Sequence, residues 1–244
     1  MSRRQTGWLA AALIMGVFGI WSMLGMVADI AAFRGGAWVE AWSFQLSKAQ
    51  TQNEFFSPQD EDWQQAYALA NLAVRLSPMN ADYREGLARI HEARFIMAPI
   101  GDPEARPERE KAIASYRDSI RLRPTWPYAH AALAYALVRA GGHDAEMESA
   151  LAEAARLGPW EPKVMEAIVD IGLDGWYRIS PASRVIVSNT LLRSQSWAAG
   201  QAGQQHADRA WARVEAHHKQ ALVCAILPMQ DERNRQHCNS VNWK

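Results

Sequence analysis

Residues 121–162, RLRPTWPYAHAALAYALVRAGGHDAEMESALAEAARLGPWEP, carry the pattern that decides the fold. The stretch contains two Leu-x-Pro elements, Leu122-Arg123-Pro124 and Leu157-Gly158-Pro159, and a third, Leu76-Ser77-Pro78, lies upstream. Proline lacks an amide donor and biases the residue before it away from helix, so each element ends a helix. Counting back from the three prolines lands on Ala66, Ala70 and Ala73, on Ala112, Tyr116 and Ser119, and on Met147, Leu151 and Ala154. Steps of four and three residues put each trio on one helical stripe. Counting forward nine residues reaches Leu87-Ala88, Leu133-Ala134 and Ile168-Val169 on a second helix. The unit is a pair of antiparallel helices, and the predicted class is all-α.

This register resembles the tetratricopeptide repeat, a helix-turn-helix unit of about 34 residues, over residues 62–172. The second and third prolines are 35 residues apart (159 − 124), and Gly141-Gly142 accounts for the extra residue. The first and second are 46 apart (124 − 78), so an insertion is expected near 98–109, marked by Pro99, Gly101, Pro103 and Pro107. The resemblance implies a short α-solenoid in which the first helix of each pair lines a concave side. In this chain that side comprises Asp82, Glu85, Arg89 and Glu92, then Tyr128, Tyr135, Val138 and Arg139, then Lys163, Glu166 and Asp170. Such a face is mixed, leans acidic and carries two tyrosines. It suits a peptide or loop of a partner protein better than an anionic polysaccharide; the alternative is a merely solvated polar face.

Toward the amino terminus, Gln5 to Ala28 is a run of 24 residues without a charge, preceded by Arg3 and Arg4. A helix of that length crosses a hydrocarbon core about 30 Å thick. A cleaved signal has a shorter apolar region followed by a small-x-small site, whereas Ala10 to Ala12 lies inside the run. A retained transmembrane helix is therefore expected. Arg3, Arg4 and the amino terminus outweigh Arg34, which puts the short tail in the cytoplasm and the rest across the membrane. The expected plan is an anchor at 1–30, a juxtamembrane segment at 31–61, a repeat region at 62–175 and a helical carboxyl-terminal cap at 176–244.

The part beyond the anchor is long enough for one domain with its own core. Lys plus Arg number 26 and Asp plus Glu 26. That balance supplies no basic footprint for nucleic acid. Cys224 and Cys238 are the two cysteines; in an oxidising compartment they pair across a short loop, and otherwise both thiols stay free. Ser57-Pro58-Gln59-Asp60 reads as a cap opening a helix to Ser77, and Ser180-Pro181 opens another through Arg193. A last helix is predicted over His206 to Leu227, stopped by Pro228, with loops at Ser47–Phe56 and Pro99–Pro107.

Chemistry-bearing motifs are sparse. There is no Gly-x-Ser-x-Gly, no His-Glu-x-x-His and no phosphate-cradling glycine loop. His206, His217, His218 and His237 lack the one-turn spacing that brings two ligands to one helical face. Glu92 and Glu166 are the candidate carboxylate pair for the alternative of a periplasmic glycan-processing enzyme, but such pairs arise by chance on helical surfaces. No catalytic residue, metal or cofactor is expected. Trp126-Pro127 and Trp160-Glu161-Pro162 follow successive helix ends. Each tryptophan is either a wedge packed between helix pairs or a plate for a sugar ring, with Tyr128 beside it, and the wedge is the expectation.

The segment 121–162, followed by ALVCAIL at 221–227, resembles the VpsP family of exopolysaccharide-biosynthesis proteins. Together with the anchor, the resemblance covers about two thirds of the chain. It implies a bacterial inner-membrane protein encoded with glycosyltransferases, a polymerase and export components; with the charge bias of the anchor and the lack of catalytic motifs, the expectation is a non-enzymatic scaffold with a periplasmic domain. Its partner is then a protein of that machine, with polysaccharide as the other candidate ligand. No catalytic residue carries over.

Overall fold

The computed structural model describes residues 3–196, 200–228 and 232–239. Every regular element among them is helical: α1 Arg3–Gln52, α2 Asp60–Leu76, α3 Ala81–Arg94, α4 Arg106–Leu122, α5 Pro127–Arg139, α6 Ala145–Leu157, α7 Pro162–Asp174, α8 Pro181–Ser196, α9 Gly200–Ala216, α10 Gln220–Cys224 and α11 Glu232–Asn239. They fall into two compact units, Met1–Ala98 with Glu104–Leu122, and Pro99–Pro103 with Arg123–Lys244. The division passes through the expected 62–175 region, at its second Leu-x-Pro element.

The register holds throughout. Ala66, Ala70, Ala73, Ala112, Tyr116, Ser119, Met147, Leu151 and Ala154 are all buried, and so are the pairs Leu87-Ala88, Leu133-Ala134 and Ile168-Val169. Within the first unit α1 packs on α2 and α3, and α3 packs on α4; within the second, α5 packs on α6 and α7, and α7 on α8 and α9.

The first unit departs from expectation at α1. One helix of 50 residues replaces the anchor and the separate juxtamembrane segment, which at 1.5 Å per residue is about 75 Å long. Apolar side chains from Leu13 to Val27 are exposed in the isolated chain, and α1 is the described helix long and apolar enough to cross a membrane. From Ala28 a single stripe turns inward: Ala28, Ala31, Gly35, Val39, Trp42 and Ala49 are buried. These steps of three, four and seven are the period of a helix packed on one side. Val39 and Trp42 share a core with Trp63, Ala66, Ala70, Val74, Leu87, Ile90 and Ala93. At Gly35 the backbones approach closely, a Cβ there lying 3.4 Å from the Ala66 carbonyl oxygen and 3.5 Å from the Ala70 nitrogen. Trp63 satisfies its buried indole by donating from Nε1 to the Ile90 carbonyl at 2.8 Å.

The loop expected at Ser47–Phe56 is helical as far as Gln52, because the stop comes at Asn53. Asn53 adopts φ 55°, Glu54 N–H donates to the Ala49 carbonyl and Asn53 N–H to that of Gln50. This is a left-handed cap closing the exposed carbonyls of the last turn. The same device ends α5 at Gly141 (φ 95°) and α9 at His218 (φ 53°). The predicted helix 206–227 is thereby split into α9 and α10. At α2 the predicted Ser57 cap is displaced: extended Gln59 precedes the helix, and Ser57 Oγ donates instead to the Arg94 carbonyl. Ser180 behaves as predicted, accepting from Ser183 N–H at 3.2 Å ahead of Pro181. The expected insertion near 98–109 is shared out, Pro99–Pro103 joining the second unit while Arg106–Arg109 form the first turn of α4.

Cys224 and Cys238 form a disulfide with Cα atoms 5.7 Å apart. It ties α11 to α10, and a loop of this size is worth about 3 kcal/mol of stability in the chain-entropy account.

Candidate functional site

The residues predicted to line a concave face are divided between the units. On α3, in the first unit, Asp82 and Arg89 are exposed while Glu85 and Glu92 are half-buried. Glu92 faces inward enough to accept a hydrogen bond from Tyr116 at 2.6 Å. Tyr116 is fully buried, and burial, followed by the charge of Glu92, raises its pKa well above the ordinary phenol value. Glu92 is thus committed to holding α3 on α4.

Beside it, His91, the residue before Glu92, forms a buried pair with Glu108 at 2.6 Å, and Lys111 donates to Glu108 at 2.7 Å. Burial lowers the His91 pKa and outweighs the opposing effect of Glu108. Burial also works against the Glu108 charge, but hydrogen bonds from Lys111 and His91 prevail and hold its pKa below the usual carboxylate range. A neutral His91 donating from Nδ1 to an ionised Glu108 satisfies both shifts. Sequence reading missed this pair, whose seventeen-residue separation carries no local signal.

In the second unit, α5 presents Tyr135 with 42% of its surface exposed, while Tyr128 and Arg139 are half-buried. Val138 is buried and belongs to the core rather than to a lining. Tyr128 donates to Glu161, the N-cap residue of α7. That bond, together with burial, pushes its pKa up to about 12. Trp126 lies 4.8 Å from Tyr128 between ring centroids, and the Arg123 guanidinium lies 4.0 Å from the centroid of the Trp126 ring. Pro127 fills the space where a side chain at Gly158 would stand. The two Trp-Pro elements are therefore packed together through Pro127, Gly158, Tyr128 and Glu161. Trp160 is not a wedge, since 53% of its surface is exposed.

On α7, Lys163 is exposed, but the open face expected at Glu166 and Asp170 is filled by α9. Arg209 Nε donates to Glu166 at 2.9 Å, Arg213 bonds Glu166 at 3.0 Å and also Asp170, and His217 lies 3.4 Å from Asp170. His206 is buried with Nδ1 3.8 Å from Glu166, and burial lowers its pKa. Two acids one turn apart thus meet bases at 209, 213 and 217, each one turn from the next. That spacing was visible in the sequence; its target was not. Of the other histidines, His237 stacks on Trp211 with centroids 4.3 Å apart.

These positions leave Asp82, Arg89 and Lys163 as exposed charges and Tyr135 and Trp160 as exposed aromatics of the two units. No known family model and no curated protein matches the chain.

Proposed function

We propose that the protein is a non-enzymatic scaffold held by one transmembrane helix in a bacterial inner membrane. Its tetratricopeptide-like helix pairs hold a protein component of exopolysaccharide polymerisation or export on the periplasmic side. The observation carrying the scaffold part is the burial of every register position on α2 to α7, because helix pairs packed this way devote their small and apolar stripes to one another and leave polar faces for partners. The Cys224–Cys238 disulfide supports an oxidising compartment. The pathway part rests on the resemblance at 121–162 and 221–227.

Glu166 and Asp170 leave the proposed partner face, being occupied by α9, and Tyr135 with Arg139 remain its centre in the second unit. Tyr and Arg are among the residues that most often dominate interface energy. In-membrane crosslinking of the full chain, with identification of the captured protein, tests the reading. Tyr135→Ala with Arg139→Ala is expected to abolish capture and polymer output while helical content and membrane association persist; unchanged capture defeats it.

A second reading has its own support in the exposure of Trp160. A half-exposed indole suits stacking on a pyranose ring of a nascent polysaccharide. Trp160→Ala separates the two: loss of glycan binding in a folded protein with partner capture intact favours the polysaccharide module.

A further inference from the structure

The α2–α3 connection occupies an unusual position relative to the anchor half of α1. Asp29 is the first charge after the uncharged run Gln5–Ala28, so an inserted α1 brings Asp29 to the membrane boundary. Two contacts fix α2 and α3 at that level. Gly35 lies against Ala66 and Ala70, and Tyr83 on α3 donates its hydroxyl to Asp29. From Gly35 back to Asp29 is six residues, and from Ala70 on to Leu76 is also six, each a descent of about 9 Å. Leu76 therefore stands level with Asp29, and the turn at 77–80 reaches beyond it, alongside the last turn of the apolar run.

Exposure along α1 agrees. Trp21 is 77% exposed, but Leu24 falls to 39% and Ala28 is fully covered. At the tip of the turn Met79 is 78% exposed. Behind it stand Arg75, exposed, and Arg84, whose Nη2 donates to the Pro78 carbonyl at 3.4 Å. Arg84 also pairs with Asp118 at 3.4 Å, so an apolar tip with the exposed Arg75 one turn behind it matches the layering of acyl chains under phosphate headgroups.

We propose that the α2–α3 turn rests on the lipid surface beside α1, with Met79 dipping to the acyl-chain boundary, so that the first unit meets the membrane at two points. The proposal rests on α1 being a membrane anchor. Two contacts restrict rotation of the unit about the helix axis and fix which faces point away from the bilayer.

The test uses the full chain in phosphatidylcholine vesicles, with Phe18→Cys, Met79→Cys or Gln52→Cys carrying an environment-sensitive fluorophore and nitroxide-bearing acyl chains as quencher. The native cysteines are paired, so labelling without reductant is confined to the new thiol. Quenching of about twofold or more at positions 18 and 79, with little at 52, is the expected result. Quenching at 18 with position 79 behaving like 52 overturns the docking and leaves the anchor standing. An unquenched position 18 overturns the anchor reading and the docking with it, and quenching at all three sites overturns the proposed orientation.

Discussion

Residues 13–27 and 28–49 belong to one unbroken helix, yet their side chains meet opposite surroundings. In the first half, Leu13, Phe18 and Trp21 point outward on different sides and are exposed in the isolated chain. In the second, Ala28, Val39, Trp42 and Ala49 form one buried stripe, while Phe33 and Phe44 on the other sides stay exposed. Apolarity all round asks for an apolar solvent; apolarity on one stripe asks for a protein neighbour. Continuity of the helix between them means that any rotation or tilt of the first half is passed directly to the core of the first unit.

The largest expected effect comes from removing a stripe residue of the second half, set against its exposed side. Trp42→Ala should destabilise the first unit by about 3–5 kcal/mol, and Phe44→Ala, exposed two residues on, by no more than about 0.5 kcal/mol. Urea midpoints of the detergent-solubilised chain measure both, and equal shifts would dissolve the distinction. Next in size is a charge in the first half: Val17→Asp should oppose insertion by about 2.5–3.5 kcal/mol, while Ala41→Asp leaves membrane retention unchanged. Resistance to alkaline extraction reports the outcome.

Close packing gives a smaller effect. Gly35→Leu should cost about 1–3 kcal/mol by forcing α1 from α2, as should Ala73→Leu in the neighbouring stripe, whereas Gly36→Leu meets nothing within 4 Å and should be neutral or mildly stabilising. Matching midpoints for the two glycine variants would place the α1–α2 contact elsewhere.

The smallest effect is the pH dependence of the core beneath the second half, where His91 lies 6.3 Å from Trp63 between ring centroids. Its folded pKa is depressed, so its contribution is complete above the unfolded value of about 6.5 and is lost as pH falls below it. Depression of Glu108 adds a further loss below about pH 4.3. The urea midpoint of the parent should drop between pH 7.5 and 5.5, and that of His91→Asn should drop less. Identical slopes would remove His91 from the account.

Much of the helical layout was legible because its signals are short-range. Proline stereochemistry ended α2, α4 and α6 near Leu76, Leu122 and Leu157, and steps of three and four residues named the buried positions on each. The Asn53 and His218 stops were harder, since a non-glycine residue in the left-handed region is uncommon and its selection depends on the carbonyls it closes. The candidate face was legible only in part. Tyr135, Asp82, Arg89 and Lys163 are exposed as expected, but Glu92 is engaged by Tyr116 on the facing helix, and Glu166 and Asp170 by Arg209, Arg213 and His217 on α9. A helical period says which residues share a face; it is silent on what covers that face.

By itself, then, the sequence determined the all-α class, the apolar all-round start of α1, the register of the paired helices and the two cysteines available for bonding. Tertiary structure alone decided that α1 runs on into the core of the first unit, that residues 62–175 are split between two units, that the acids of α7 are neutralised by α9, and that Cys224 meets Cys238. The physical reason is range. Backbone hydrogen bonding and side-chain periodicity act within a few residues, whereas burial, ion pairing and disulfide formation depend on which distant segments arrive at the same place.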